Sequence, residues 1–272
     1  MRQNLHTHST YCDGKNPPEE MVLTAIEKGF TILGFSGHGY VPIDGAAMSI
    51  EGTREYIQTI LTLQEKYKDQ IDIYLGLEED TLNRLIVKEP FSFVIGSVHF
   101  LTHEGVSLPI DYNQGIMEFM VNEWYGGSFV NLAKEYYKSV RQMVNWDEVD
   151  ILGHLDLITK FNEDESFIRF DDPAYVKEAC DTIDAFAGKK ILEVNTGAIS
   201  RNYRKTPYPA KNLLRYMHEK GVQICLNSDC HNAEYLDCYF EESLAMIKEC
   251  GYRSMMKKTP EGFVEEDIDL FE

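Results

Sequence analysis

Short apolar and β-branched runs alternate along most of the chain with segments of helical periodicity. This alternation predicts strands that are each followed by a helix, as in a parallel sheet or barrel. Seven strands are predicted, at Arg2–Leu5, Thr31–Phe35, Ile71–Leu75, Phe93–Ile95, Val149–Leu152, Ile191–Val194 and Val222–Leu226. Helices are predicted near 51–68, 128–146, 173–187, 209–220 and 240–250.

A further helix is predicted between the first two strands. Pro17 and Pro18, followed by two acidic residues, are typical of a helix start, and Gly29 lies where this helix would end. Seven strands with following helices resemble a (β/α) barrel one unit short of the usual eight. A doubly wound sheet has the same pattern and stays open as an alternative.

One domain is predicted over residues 1–272, because no internal repeat and no Pro/Gly/Ser-rich linker divides the chain. The stretch 101–127 breaks the rhythm of strands and helices with Gly105, Pro109, Gly115, Gly126 and Gly127. We expect an elaborated loop there, of the kind that often shapes a substrate pocket.

Composition narrows the class of protein. The 272 residues include 26 Lys and Arg against 45 Asp and Glu, a formal charge of −19, which argues against nucleic acid as an extended partner. No apolar run approaches the roughly 18 residues of a membrane span, and the first residues lack a signal peptide's apolar segment. We therefore expect a soluble cytoplasmic protein that does not bind membranes, and the pattern leaves its oligomeric state open.

The six cysteines are predicted to be reduced thiols. They include no close CxxC pair, and a disulfide framework is not expected without a signal peptide. The spacing of Cys225, Cys230 and Cys238 fits no common zinc motif.

Histidines and acids recur just after the predicted strands. Because the carboxyl ends of parallel barrel strands share one rim, these side chains should converge. The set contains six of the eight histidines and three acids: His6, His8, Asp13, His38, Glu78, His99, His154, Asp229 and His231. His103 and His218 fall outside it and are expected to be ordinary surface residues.

This set predicts a metal centre. In the His6-Thr7-His8 and Asp229-Cys230-His231 pairs, side chains two residues apart on an extended chain point to the same side. Mixed imidazole and carboxylate ligands suit zinc, iron or manganese. Nine ligands are too many for one ion but suffice for three.

The same segments resemble the polymerase-and-histidinol-phosphatase (PHP) superfamily of metal-dependent phosphoesterases over nearly the whole chain. Within it, the Gly96–Phe100 and Gly153–Ile158 segments are similar to those of histidinol-phosphatases. The resemblance is carried by His6-Thr7-His8-Ser9 with Asp13-Gly14, Ser36-Gly37-His38, Gly76-Leu77-Glu78, Gly96-Ser97-Val98-His99-Phe100, Gly153-His154-Leu155-Asp156-Leu157-Ile158, Glu193-Val194-Asn195-Thr196 and Ser228-Asp229-Cys230-His231.

The resemblance implies a distorted (β/α)7 barrel, similar to a TIM barrel, with three divalent ions of zinc, manganese or iron. It implies that the chain hydrolyses the small phosphate monoester L-histidinol phosphate in histidine biosynthesis, by attack of a hydroxide that bridges two of the metals. It assigns the first ion to His6, His8, Glu78 and Asp229, the second to Glu78, His99 and His154, and the third to Asp13, His38 and His231. Glu78, Asp229 and His231 would act in catalysis through the metal-bound hydroxide.

Cationic residues should complete the phosphate site. Arg201, after the sixth strand, is the best placed, and Lys160 and Arg204 are weaker candidates. The imidazole and ammonium ends of the substrate need aromatic or acidic partners, for which Asp111, Tyr112 and Trp124 are candidates.

Three alternatives remain open at this point. The same site could act on another small phosphate ester or a nucleotide. An amidohydrolase-like barrel also places a His-x-His pair after its first strand, but the nine-ligand set and the lack of an evident carbamylated-lysine position disfavour it. A metal-binding regulatory module without activity is the third alternative.

Overall fold

The computed structural model describes residues 2–84 and 91–271. These residues contain a parallel sheet of seven strands, whose order across the sheet is their order along the chain. Its strands are β1 (Arg2–Asn4), β2 (Phe30–Phe35), β3 (Asp72–Asp80), β4 (Phe93–Ser97), β7 (Ile151–Leu152), β8 (Ile191–Asn195) and β9 (Ile224–Asn227). Two antiparallel hairpins add β5 (Phe100–His103) with β6 (Val106–Pro109) and β10 (Ser254–Thr259) with β11 (Gly262–Asp267).

The sheet curls into a nearly closed barrel. A parallel bridge between Thr7 and Cys230, just beyond β1 and β9, joins the two ends of the strand order. His8 N donates to the Cys230 carbonyl at 2.8 Å, and Cys230 N donates to the His6 carbonyl at 3.1 Å. The predicted distorted (β/α)7 barrel is therefore confirmed, and the chain does not form a doubly wound sheet.

Helices follow the barrel strands where periodicity predicted them. The Ser49 hydroxyl caps the helix after β2 by accepting from Gly52 N, and the Asp172 carboxylate caps the helix after β7. Their bounds are α1 (Pro18–Glu27), α2 (Ile50–Tyr67), α3 (Gln114–Phe119), α4 (Phe129–Gln142), α5 (Pro173–Phe186), α6 (Gly197–Ser200), α7 (Lys211–Glu219) and α8 (Phe240–Glu249). Short 3-10 turns lie at Met143–Asn145, Leu157–Thr159, Ala233–Tyr235 and Ile268–Phe271, and a π-helical turn lies at Met120–Trp124.

The barrel interior is packed around Phe93. A Cβ at Gly76 would lie 2.3 Å from the Phe93 ring, and a Cβ at Gly34 would lie 2.7 Å from it, so the ring occupies space that only glycine leaves. The C-terminal hairpin packs at the amino end of the barrel. There Gln3 Nε2 donates to the Met256 carbonyl at 3.1 Å, and Lys258 N donates to Gln3 Oε1 at 2.7 Å.

The stretch 101–127 carries secondary structure where an elaborated loop was predicted. It contains most of the β5–β6 hairpin, α3 and the π-helical turn at Met120–Trp124. Glu104 and Gly105 form the hairpin turn with positive φ angles of 48° and 82°. The stretch lies beside the carboxyl ends of the strands, because β5 follows β4 after two residues.

Two properties of the described ranges bear on the sequence predictions. All six cysteines are free thiols. Within residues 2–84 and 91–271, no helix combines the length and the apolar character that a membrane crossing requires.

Candidate metal centre

The nine side chains predicted to converge come together at the carboxyl ends of the barrel strands. Among the described residues, ligand-type atoms lie within 4.8 Å of one another in three groups. These groups are His8, Asp13, His38 and His231; His6, His8 and Asp229; and His38, Glu78 and His99. His154 is in none of them, but its Nε2 lies 3.1 Å from Glu78 Oε1.

Glu78 lies at the centre of the cluster. The prediction placed it after the third strand, whereas β3 continues to Asp80 and holds Glu78 within the sheet. Its side chain is 1% exposed, and both of its carboxylate oxygens face imidazoles. Oε2 lies 3.1, 3.5 and 3.1 Å from nitrogens of His6, His8 and His38, and Oε1 lies 3.4 Å from His99 Nε2. This geometry suits a carboxylate shared between neighbouring ions.

Two aspartates complete the donor set. Asp229 Oδ1 lies 3.2 Å from His8 Nε2 and 3.7 Å from His6 Nε2. On the outer side, Asp13 Oδ2 lies 3.1 Å from His231 Nε2, and Asp13 Oδ1 lies 3.6 Å from His38 Nε2.

The donors fit divalent ions. Among the described residues, His6 Nε2, His8 Nε2 and Glu78 Oε2 are fully buried and have no hydrogen-bond partner. Buried polar atoms of native proteins are nearly always satisfied, so unpartnered atoms that face one another suit a bound ion. Imidazole and carboxylate donors are those that zinc, iron and manganese bind. The groups of this cluster could therefore hold metal ions.

Burial and the neighbouring charges shift the pKa values of histidines in the cluster. Burial disfavours the charged form of the His6 ring, yet the attraction of Glu193, Glu78 and Asp229 raises its pKa well above the usual range. Burial and the neighbouring His231 and His38 rings instead lower the pKa of His8 to about 3.

The acids of the cluster stay ionised. Burial opposes the ionised form of Glu78, but the surrounding histidines hold its pKa well below the usual value. Burial likewise opposes ionisation of Asp229, and Arg201 and His6 lower its pKa well below the usual value. Deprotonated carboxylates are the form that binds metal.

Residues around the cluster hold the donors in place. Ser97 Oγ donates to Glu78 Oε1 at 2.6 Å. Asp80 Oδ2 accepts from His99 N at 2.7 Å and lies 3.3 Å from His99 Nδ1. Burial lowers the pKa of His99, but Glu78 and Asp80 together raise it to about 9. Such outer groups orient metal ligands and tune their basicity.

A cavity of about 810 Å³ opens above the cluster. Its walls include Asp13, His38, His99, Asp229 and His231 from the donor set. The stretch 101–127 contributes Gly105, Ser107, Pro109, Asp111, Tyr112 and Ile116, as expected of a segment that shapes a pocket. A volume of this size accommodates a small organic ligand.

The three predicted cationic residues have different surroundings. Arg201 lines the cavity, where its Nη2 donates to Asp229 Oδ2 at 3.1 Å and its Nη1 lies 2.9 Å from His231 Nδ1. Lys160 also lines the cavity, and its Nζ donates to the Asp111 carbonyl at 2.7 Å and to Asp111 Oδ2 at 3.1 Å. Arg204 does not contribute to the described lining, since its guanidinium donates to Thr159 and Glu163.

Trp124 is likewise outside this lining. Its ring stacks on His103 with centroids 5.3 Å apart. Of the three residues considered for the organic end of a substrate, the structure therefore brings Asp111 and Tyr112 into the cavity wall.

Sequence reasoning did not assign roles to Ser97, Asp80 and Glu193, which contact donors. Glu193 Oε1 accepts from His6 Nδ1 at 2.8 Å. Ser97 and Glu193 lie within segments that carried the resemblance. Their partners are distant in sequence, however: Ser97 contacts Glu78, 19 residues earlier, and Glu193 contacts His6, 187 residues earlier.

The sequence of this chain is similar to a family model and to known proteins. The model of the PHP domain matches residues 4–197. A protein of Deinococcus radiodurans with the name probable histidinol-phosphatase is 29% identical over 262 residues, 92% of this chain and 94% of the relative. A histidinol-phosphatase of Lactococcus lactis is 26% identical over 267 residues, 93% of this chain and 92% of the relative.

Solved structures include a similar barrel. The crystal structure of histidinol phosphate phosphatase from Lactococcus lactis, complexed with zinc, L-histidinol and phosphate, has a TM-score of 0.74 and 25% identity, covering 97% of this chain and 98% of that one. A chain from Listeria monocytogenes, also with a TM-score of 0.74, is 22% identical and covers 89% of this chain and 99% of its own, which extends the likeness of fold.

Proposed function

The chain belongs to the PHP domain family, and from this premise we propose that it is a phosphatase that hydrolyses L-histidinol phosphate to L-histidinol and phosphate. The observation that carries the proposal is the buried cluster of histidines and acids with Arg201 at its edge, open to a cavity of small-ligand size. Relatives that span nearly the whole chain have the name histidinol-phosphatase, and one was crystallised with zinc, L-histidinol and phosphate. The reaction would be a step of histidine biosynthesis in the cytoplasm, where cysteines stay reduced, and the six free thiols support that location.

Residues 1–272 would act as one domain that holds three divalent ions of zinc, manganese or iron. His6, His8, Glu78 and Asp229 would hold the first, Glu78, His99 and His154 the second, and Asp13, His38 and His231 the third. Bound ions would supply Lewis acidity toward phosphoryl oxygens and would lower the pKa of water toward neutrality.

Arg201 would bind the phosphate oxygens. Asp229 and His231 fix its guanidinium at the edge of the donor cluster, and the planar fork of an arginine matches phosphate geometry with two parallel donors. Lys160 would add a second positive charge on the same cavity wall. Arg204 is not part of this proposal, because its side chain is 2% exposed and lies outside the described lining of the cavity.

Asp111 and Tyr112 would contact the organic end of the substrate. Burial opposes ionisation of Asp111, but Lys160 and His99 lower its pKa below the usual value, so the carboxylate keeps the negative charge that an ammonium group needs. Tyr112 is 70% exposed at the cavity and offers an aromatic face to an imidazole.

The test is a substrate comparison with the zinc-loaded protein. We expect kcat/KM for L-histidinol phosphate to exceed that for nucleoside monophosphates, phosphotyrosine and p-nitrophenyl phosphate by more than about tenfold, or about 1.4 kcal/mol. The Glu78→Gln variant, measured in parallel, should lose hydrolysis of all of them. A preference for a nucleotide or another phosphate ester would contradict the proposed substrate and favour a phosphoesterase of different specificity.

A further inference from the structure

A buried carboxylate, Glu193 on β8, lies directly behind the donor cluster. It is fully buried, and within the described residues its two oxygens accept four hydrogen bonds. Oε1 accepts from His6 Nδ1 and Asn227 Nδ2, both at 2.8 Å. Oε2 accepts from His154 N at 2.9 Å and Asn195 Nδ2 at 2.8 Å. The carboxylate therefore joins residues from β8, β9 and the ends of β1 and β7.

Three of the four neighbours of Glu193 can only donate in this arrangement. The Asn227 amide is oriented by Leu5 N, which donates to its Oδ1 at 2.8 Å. The Asn195 amide is oriented by Gly197 N, which donates to its Oδ1 at 2.8 Å. Both side chains must therefore present their NH2 groups to Glu193, and the backbone N–H of His154 cannot reverse its role.

The same contact determines how the His6 ring is used. An ionised carboxylate is purely an acceptor, so His6 Nδ1 must carry the hydrogen that points at Glu193. Its other nitrogen, Nε2, is directed at Glu78 Oε2, 3.1 Å away, and at Asp229 Oδ1, 3.7 Å away. A metal ligand needs a lone pair on Nε2, and a hydrogen bond that holds the other proton on Nδ1 makes Nε2 the nitrogen that loses its proton when a metal binds.

We propose that Glu193 is a positioning residue of the metal centre: it holds a proton of His6 on Nδ1, so that Nε2 is the nitrogen that gives up its proton to a metal, and it anchors the backbone of His154 beside Glu78. This inference rests on the proposed function only in taking the cluster as a metal centre. Glu193 touches neither substrate nor reacting atoms and acts through the two histidines.

The isosteric variant Glu193→Gln tests the proposal, because an amide replaces one acceptor by a donor. If its NH2 faces His154 and Asn195, it opposes a backbone N–H that cannot reverse. If its NH2 faces His6, the ring must accept at Nδ1 and move its proton to Nε2, which removes the metal-binding lone pair. Either orientation disturbs a ligand without removing any bulk.

The control is Asp150→Asn. Among residues 2–84 and 91–271, Asp150 Oδ2 accepts one hydrogen bond, from Val94 N at 2.9 Å, before β7 begins and away from the donors. Asparagine retains an acceptor oxygen for this bond. Both variants thus replace a carboxylate by its amide, but only in Glu193→Gln does the new amide contact a proposed metal ligand.

The readouts are zinc affinity, measured by competition with a chromogenic chelator, and two-bond 1H–15N spectra of the zinc-loaded chain with labelled histidine, in which His6→Gln identifies the His6 ring. We expect wild type to show His6 protonated at Nδ1 and metal-bound at Nε2. Glu193→Gln should weaken zinc binding at one or more sites about 10- to 100-fold and lose that ring signature, while Asp150→Asn matches wild type.

Two results would overturn the positioning role. One is a Glu193→Gln protein that melts at lower temperature but binds zinc with wild-type affinity and an unchanged His6 signature, which assigns Glu193 to fold stability alone. The other is a wild-type spectrum with His6 protonated at Nε2, which decides the matter even where the variant does not fold. Failure of the proposed function looks different, since zinc then binds to wild type without hydrolysis of L-histidinol phosphate.

Discussion

The hydrogen bond between Ser97 and Glu78 offers a sharp test of how the centre is held. Ser97 Oγ donates to Glu78 Oε1 at 2.6 Å, and both residues are almost completely buried. Replacing Ser97 by alanine removes this donor and leaves the carboxylate free to turn between His99 and His154, which lie 3.4 and 3.1 Å from the same oxygen.

The expected size of the effect follows from the chemistry of the bond. A buried hydrogen bond to a charged acceptor contributes about 1.5–3 kcal/mol, and 1.4 kcal/mol corresponds to a factor of ten. If that energy supports the metal-binding orientation of Glu78, Ser97→Ala should bind zinc about 10- to 150-fold more weakly. Activity lost at limiting zinc should largely return when zinc is raised.

Competition with a chelator measures this affinity, and Ser243→Ala is the control. Ser243 is a buried serine on α8 whose hydroxyl has no partner among residues 2–84 and 91–271, so its removal should leave zinc binding unchanged. Wild-type zinc affinity in Ser97→Ala would refute the reasoning, because the hydroxyl would then contribute nothing to the orientation of Glu78.

Three further predictions concern metal, phosphate and packing. Zinc bound at one site, at a free concentration about 100 times its Kd, should add about 2.7 kcal/mol to the free energy of unfolding, so stripping that site should lower Tm by about 5 °C in calorimetry, given an unfolding entropy of about 2.1 cal/mol/K per residue. An unchanged Tm would mean that no metal is bound. Arg201→Lys should lower kcat/KM for L-histidinol phosphate at least about tenfold at saturating zinc, since a lysine cannot supply two parallel donors. The control Arg169→Lys, at an exposed arginine, should match wild type, and equal losses in both variants would contradict a phosphate role for Arg201. Gly76→Ala should destabilise the fold by about 1–3 kcal/mol in urea unfolding, because its Cβ would overlap the Phe93 ring; Gly45→Ala, whose Cβ meets no described atom within 4 Å, should be neutral, and a neutral Gly76→Ala would refute the packing argument.

The barrel and its converging side chains could be predicted because both depend on position within short local segments. Apolar runs identify strands, and the carboxyl ends of parallel strands must share a rim. His6 and His99 therefore come close in space although 93 positions separate them. The pattern was misleading at the end of the third strand, where the residues are acidic. β3 continues through Glu78 to Asp80, beyond the apolar residues from which the strand was predicted.

The two hairpins could not be predicted in the same way, because their burial depends on distant partners. The β10–β11 hairpin is held at the barrel by Gln3, more than 250 residues earlier in the chain. In the β5–β6 hairpin, Gly105 was interpreted as a loop residue, whereas it completes a tight turn with Glu104. Glycine signals a break in regular structure but does not reveal which segments pair across it.

The groups that support the donors escaped prediction for a related reason. Glu193 and Asp80 lie in strands, where an acid has no local pattern that marks it as a hydrogen-bond partner. Arg204 shows the converse, since it follows the sixth strand near Arg201 but turns toward Thr159 and Glu163. Proximity to a strand end selects candidates, and only side-chain direction decides among them.

The most direct test of the central claim is a zinc titration of metal-stripped protein, with phosphate release from L-histidinol phosphate as the readout. We predict negligible hydrolysis in the stripped chain and a rate that rises with added zinc to a plateau at about three ions per chain. Full hydrolysis before any metal is added would contradict the account, as would a zinc-saturated chain that releases no phosphate.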